Sequence, residues 1–348
     1  MKLTRLFLAL VAGSVLFVSC SDDDNQSNKP QGTYDNGTFI LNEGNSDPST
    51  ASVSFIKEDG TLVADIFRLE NPGAAETGSY LQSMFMDDSR IFIISGQANK
   101  VTIVDRYSFK SIATVATNLD NPRYGTVANG KAYIVNNAGF ASGDDDFLTI
   151  IDLNNYTTSK FVIGDFADKI TEENGKVYIA NGSYGNGSAV SVYNPSNNTI
   201  EKVIELGEDS PDSFDEEDGT LYVLGISNIF KINISNNQIT STIALPENLE
   251  GSSHLTVEGG KIYFTNDTSV YALDKNATAA TQATKILTYT SDSMYGAMYG
   301  FNVHDGKIYV SDAGDFASDS KAYVYSLTGS LLSTYNAGVG ANGFYFND

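Results

Sequence analysis

The sequence predicts an all-β fold, a seven-bladed β-propeller, on three observations. A strand-turn-strand unit recurs seven times along the chain, its turns are dipeptides suited to hairpins, and the last segment is an apolar strand without a local partner. Composition agrees, because 31 Gly, 20 Tyr and 19 Phe among 348 residues favour strands and tight turns, while charged residues make up only 18%. From residue 38 onward there is almost no helical periodicity; short alternating or continuous β-branched and aromatic runs recur between Gly, Asn and Asp turns.

The chain begins with a basic stretch containing Lys2 and Arg5, followed by an apolar run over residues 6–18 that is short for a bilayer span. Residues 1–19 therefore read as a secretory signal peptide. Its end, Leu16-Phe17-Val18-Ser19-Cys20, resembles a bacterial lipobox, and Cys20, the single cysteine, is the expected lipidation site. Ser21-Asp22-Asp23-Asp24-Asn25 looks like the acidic tag that directs lipoproteins to the exterior of the outer membrane in Bacteroidetes-type bacteria. Residues 20–35, rich in Asp, Asn, Ser and Gln, are expected to form a lipidated flexible tether, and residues 36–348 the propeller.

The second strand of each repeat carries an aromatic, Phe39, Phe92, Tyr133, Tyr178, Tyr222, Tyr263 and Tyr309, at spacings of 53, 41, 45, 44, 41 and 46. A four-stranded propeller blade takes about 40–45 residues. Asn129-Gly130, Asn174-Gly175, Asp218-Gly219, Gly259-Gly260 and Asp305-Gly306 precede these strands and reach the positive φ values of two-residue hairpins. The aromatics are expected between blades as core. The first repeat lacks an inner strand, and residues 343–348, Gly-Phe-Tyr-Phe-Asn-Asp, should supply it and close the ring.

In this topology the loops before inner strands and those joining second to third strands emerge on one face, around the channel. The loops at 138–146, 182–188 and 313–319 are long and carry Phe140, Tyr184 with Asn186, and Phe316. The starts of inner strands add Tyr80, Arg123, Tyr124, Asp212, His254, Tyr295, Met298 and Asn342. Aromatic platforms among neutral donors and acceptors suit ligand binding, although a loop aromatic can also simply pin its loop. Asp168, Asp212 and His254 near the channel leave open a calcium-dependent propeller hydrolase or lactonase. No nucleophile-base order or phosphate-cradling glycine loop accompanies them, and Asp144-Asp145-Asp146 reads as a solvated acidic loop. Binding is favoured over turnover, with no cofactor and no metal expected.

Other classes are excluded. A formal charge of −22 repels polyanions, so nucleic acid is not a partner. Two His and one Cys cannot build a usual zinc site.

The lipobox with its acidic tag, the repeated Asn-Gly-Lys-x-Tyr-Ile units at 129–134 and 174–179, and the opening Phe39-Ile40-Leu41-Asn42-Glu43-Gly44-Asn45 resemble a Bacteroidetes family of secreted seven-bladed propellers. Its best-understood members, of the cobalamin-capturing BtuG type, are surface lipoproteins that hand cobalamin (vitamin B12) to a TonB-dependent outer-membrane transporter. The resemblance covers the mature chain and implies a ligand class, cobalamin or a related corrinoid, and a barrel partner; it assigns no binding residue. Arg123 is then either a contact for the cobalamin phosphate or a structural residue. The chain is expected to be a monomer, lipid-anchored in the outer membrane and facing outward, with a glycan-binding or adhesion propeller as a further alternative.

Overall fold

The computed structural model describes residues 31–139 and 142–348. The signal peptide, Cys20, Asp22-Asp23-Asp24, the tether up to residue 30, and Phe140 lie outside the described residues.

Seven antiparallel sheets of four strands form the blades. The inner strands are Leu81–Met86, Pro122–Ala128, Ala167–Glu173, Pro211–Glu217, Ser253–Glu258 and Gly300–His304 in blades two to seven, and Ala341–Asn347 in blade one. Successive inner strands pack against each other all the way round, so the ring is closed. The closing strand pairs with Gly37–Asn42 in the register Thr38 with Phe346 and Ile40 with Phe344. Ring closure by the C-terminus is thus as the sequence predicts.

Asn129-Gly130 (φ 50° and 74°), Asn174-Gly175 and Asp218-Gly219 have two successive positive φ values, the turn whose twist matches the flanking strands. Blade two lacks such a pair. There the Asp87 carboxylate accepts the Ser89 and Arg90 amides at 2.9 and 2.7 Å and makes the turn itself. The repeated aromatics are buried between blades, as expected: Phe39, Phe92, Tyr133, Tyr178, Tyr222, Tyr263 and Tyr309 all belong to the core. Each cluster joins neighbouring sheets, as where Phe92, Ile94 and Val101 of blade two meet Ala132, Ile134 and Ile151 of blade three.

Two features depart from the sequence reading. The long first interval, 53 residues, contains a one-turn helix, Ile66–Glu70, capped by Asp65 and burying Ile66 and Phe67. The tether also ends earlier than residue 35. Tyr34 is 1% exposed, edge-on to Phe55 at 5.3 Å and Phe109 at 5.9 Å, and its hydroxyl donates to Glu70 at 2.8 Å. Burying one Tyr ring outweighs the polar composition around it.

Candidate functional site

In six of the seven blades the inner strand loses register with the second strand at its first residues. The skipped positions fall between Leu81 and Ser83, Pro122 and Gly125, Ala167 and Ile170, Pro211 and Ser213, Ser253 and Thr256, and Ala341 and Gly343. A bulge takes a side chain out of the sheet's alternation and re-aims it. The residues so placed are Gln82, Arg123, Tyr124, Asp168, Lys169, Asp212, His254 and Asn342, with Leu255 the one apolar member. A cavity of about 320 Å³ at the channel mouth is lined by Gln82, Tyr124, Lys169, His254 and Asn342 from these bulges, together with Glu43, Tyr299, Phe301 and Tyr345.

Its charges are arranged in a chain. Arg123 donates from Nε to Asp168 at 3.0 Å and from Nη1 to Gln82 Oε1 at 2.6 Å, and lies over the rings of Tyr184 and Tyr124. The Lys169 ammonium sits 3.7 Å from the centroid of Tyr124 and makes no ion pair among the described residues. Burial opposes its charge, yet Tyr124, Asp168 and Asp212 outweigh burial and hold its pKa above the usual lysine range. Asp212 accepts the His254 amide at 3.1 Å. Burial, reinforced by Lys169 against the pull of Asp212, pushes the His254 imidazole below its ordinary pKa. Burial raises Glu43, whose carboxylate accepts the Tyr299 hydroxyl.

The sequence-predicted residues fall into separate groups. Tyr124, His254 and Asn342 line the central cavity, and Arg123, Asp168 and Asp212 stand behind it. Tyr184, 59% exposed, lies at the rim against Arg123. Tyr295, 78% exposed, and Phe316 line a second cavity of about 660 Å³ between the loops of blade seven. Phe316 also meets Tyr299 edge-on at 4.9 Å, linking the two cavities. Asn186 turns its amide back to the carbonyls of Ser183 and Tyr184. Tyr80 is half-buried with φ 51° and lines neither cavity. Met298 needs correction: it is 4% exposed, packs in the core between blades six and seven, and its amide donates to the Tyr289 hydroxyl at 2.5 Å. It therefore faces the core and not a ligand.

Asp146 is a second correction. It is buried, caps the turn Gly143–Asp145, and accepts the Ala167 amide at 2.8 Å, so the acidic loop is only partly solvated. Burial, opposed by that amide and aided by Asp145, pushes its pKa up to about 7. Burial also raises Glu173 to about 7, helped by Glu216, and Asp215 to about 6 against the pull of the Val257 amide. Such carboxyls bind protons more tightly folded than unfolded, so they destabilise the fold above pH 7 and cease to do so below about pH 4. The carboxyls lowered by hydrogen bonds, such as Asp87 and Glu201, act only in the acid range, where stability falls again. The melting temperature should therefore rise from pH 8 to pH 5, the three carboxyls outweighing His254, whose lowered pKa costs stability below its ordinary titration range, with each pH unit between unfolded and folded titration worth about 1.4 kcal/mol per group. A melting temperature that is flat or falls over that interval would contradict this burial.

Gln82, Lys169, Glu43 and Tyr345 are site residues that the sequence reading missed, while Tyr299 lies in the loop-face segment 294–299 that it named. The signal was present at the starts of inner strands, where Leu81-Gln82, Ala167-Asp168-Lys169, Pro211-Asp212 and Ala341-Asn342 place a polar residue directly after a buried one.

Residues 36–347 match the model of a family described as a domain of unknown function, DUF5074. The chain belongs to this family. No curated protein sequence matches it. Among solved structures, the DUF5074 chain is similar to a quinonprotein alcohol dehydrogenase-like protein from Bacteroides thetaiotaomicron, at 16% identity and TM-score 0.66, covering 91% of this chain and 80% of that one. A functionally unknown protein from Desulfotomaculum acetoxidans matches at 12% identity and TM-score 0.64, covering 89% and 98%. Virginiamycin B lyase from Staphylococcus aureus matches at 13% identity and TM-score 0.57, covering 77% and 92%. At these identities the likeness of the DUF5074 chain to its neighbours is one of fold.

Proposed function

We propose that this protein is a surface lipoprotein that captures cobalamin or a related corrinoid at the channel mouth and passes it, unchanged, to a TonB-dependent outer-membrane transporter. The observation that carries the reading is the mouth itself, where bulged inner strands present aromatic rings and mixed hydrogen-bonding groups around an open cavity. A corrin has apolar methyl edges and many peripheral amides, and needs broad aromatic contact with neutral donors and acceptors. Anchoring is assigned to a lipid on Cys20 because Leu16-Phe17-Val18-Ser19-Cys20 resembles a lipobox; among the described residues no helix is long and apolar enough to cross a membrane. The protein is expected to act as a binder, alone and without cofactor.

Isothermal titration of the protein with cobalamin tests this. Saturable binding is expected, and Tyr184→Ala should weaken it about thirtyfold, near 2 kcal/mol, as for an aromatic platform that the ligand covers. Because Tyr184 is largely exposed, the melting temperature should scarcely move. Failure of the wild-type protein to bind any corrinoid would remove the ligand assignment, and equal affinity in Tyr184→Ala would move the contact off this rim.

A further inference from the structure

We infer that the cavity between the loops of blade seven is a second binding site, beside the channel mouth, for a primary organic ammonium ion. It goes beyond the corrinoid reading and does not depend on it.

The register of Lys307–Asp312 against Asp319–Ser326 sets Val310 opposite Tyr323 and Asp312 opposite Lys321, so these four side chains share one face of the blade. That face packs on Tyr289, whose ring lies 5.6 Å from that of Tyr323. The chain that follows Tyr289, residues 290–295, lines the cavity together with Asp312, Phe316 and Tyr323. This loop is braced. Ser293 donates from Oγ to the Gly314 carbonyl at 2.5 Å and accepts the Gly296 amide at 2.7 Å, and Ala313 donates to the Gly296 carbonyl at 2.8 Å. It nonetheless displays Met294 and Tyr295, the two most exposed large apolar side chains among the described residues.

Asp312 decides the charge of the occupant. It is only 8% exposed; one carboxylate oxygen accepts the Gly314 amide at 2.9 Å, while the other has no hydrogen bond or ion pair among the described residues and is not sealed from solvent. Burial, then the Asp312 charge, raise the pKa of the Tyr323 hydroxyl, so carboxylate and tyrosine are electrostatic neighbours. Lys321, although across the strand pair from Asp312, gives its ammonium to Asn336 Oδ1 on the outer strand. Asp292, Asp315 and Asp319 add three more carboxylates at the cavity against that one ammonium. A buried carboxylate with a free lone pair gains most from a cation that brings its own N–H.

Other occupants fit less well. An anion would be repelled by the four carboxylates. A metal ion needs several oxygens converging on one point, and no group of three His, Cys, Asp or Glu side chains among the described residues could hold one. A quaternary ammonium has no hydrogen to give Asp312. A primary ammonium on an apolar body donates to Asp312, offers its carbon chain to Met294, Tyr295 and Phe316, and gains cation–π attraction from the rings.

The test uses three probes with the same carbon chain. The full chain, labelled with carbon-13 at its methionine methyls and with the Met294 signal identified by its loss in Met294→Leu, is titrated with n-hexylammonium, hexanoate and 1-hexanol. Hexylammonium should shift the Met294 methyl saturably in the millimolar range expected of so small a ligand, and the other two should not. Asp312→Asn should weaken hexylammonium about tenfold. Should that variant fail to fold, Asp292→Asn with Asp319→Asn, at two exposed positions, should weaken it about threefold. Equal affinity for hexanol or hexanoate, no saturation by hexylammonium, or unaltered affinity in the variants overturns the inference. A protein that binds hexylammonium but no corrinoid retains this site and loses the proposed function; one that binds cobalamin but not hexylammonium does the reverse.

Discussion

Deleting residues 343–348 should abolish cooperative folding of the propeller or lower its melting temperature by well over 10 °C. A terminal strand ordinarily frays at little cost, but this one is bonded to three blades. Phe344 is buried in the core between blades seven and one, and Phe346 stacks on His304 at 4.0 Å and lies 5.0 Å from Tyr309. On the blade-two side the Tyr345 hydroxyl accepts the Met84 amide, and buried Asn347 donates to the Tyr34 carbonyl at 2.6 Å while accepting from Arg106. Burial of Phe344 alone contributes about 1.5–3 kcal/mol. Leaving Asn347's partners and the inner edge of Gly37–Asn42 unpaired adds about 1–3 kcal/mol for each buried group. The total approaches the roughly 5–15 kcal/mol that holds a domain together. Calorimetry of the truncated protein checks this, and an unchanged transition would mean that the ring does not depend on its closing strand.

The blade register was legible because it is written in repeated local chemistry: an aromatic at the same place in each of the seven second strands, and a positive-φ dipeptide before it in blades three to seven. The same logic exposed the unpaired terminal strand. The site was less legible because it sits where that regularity breaks. A bulge such as that between Ala167 and Ile170 turns Lys169 toward the channel, although strict alternation would not distinguish it from its neighbours. Tyr299 and Glu43 meet across 256 positions of sequence, a contact that only ring closure creates. Met298 shows the converse error. A methionine in a polar loop looks available, but at φ 51° and bonded to Tyr289 it is turned into the core. Tyr34 was misplaced for the same reason: composition describes a stretch, and one ring in a pocket between Phe55 and Phe109 decides where the domain begins.

Arg123→Ala should cost about 2–4 kcal/mol of stability, which makes Arg123 first a joint of the ring and only then a ligand contact. Its guanidinium ties blade three to Gln82 of blade two and Asp168 of blade four, and both ends of the Arg123-Asp168 pair are less than one-fifth exposed. Removing one partner of a buried pair leaves the other charge desolvated and unpaired, a loss of about 3–5 kcal/mol when burial is complete and somewhat less here. It also takes away the cation beneath Tyr184, so the rim platform should loosen and cobalamin affinity should fall with stability. Arg123→Ala with Asp168→Ala removes the orphaned carboxylate as well, and should recover at least half of the lost stability. The two readings of Arg123 then separate by measurement. A joint lowers the melting temperature and weakens cobalamin and cobinamide, the corrin without the nucleotide loop, alike. A phosphate contact leaves the melting temperature in place and weakens cobalamin alone. With Asp168 already 3.0 Å from its Nε, Arg123 has its charge matched before any ligand arrives, so the first pattern is expected.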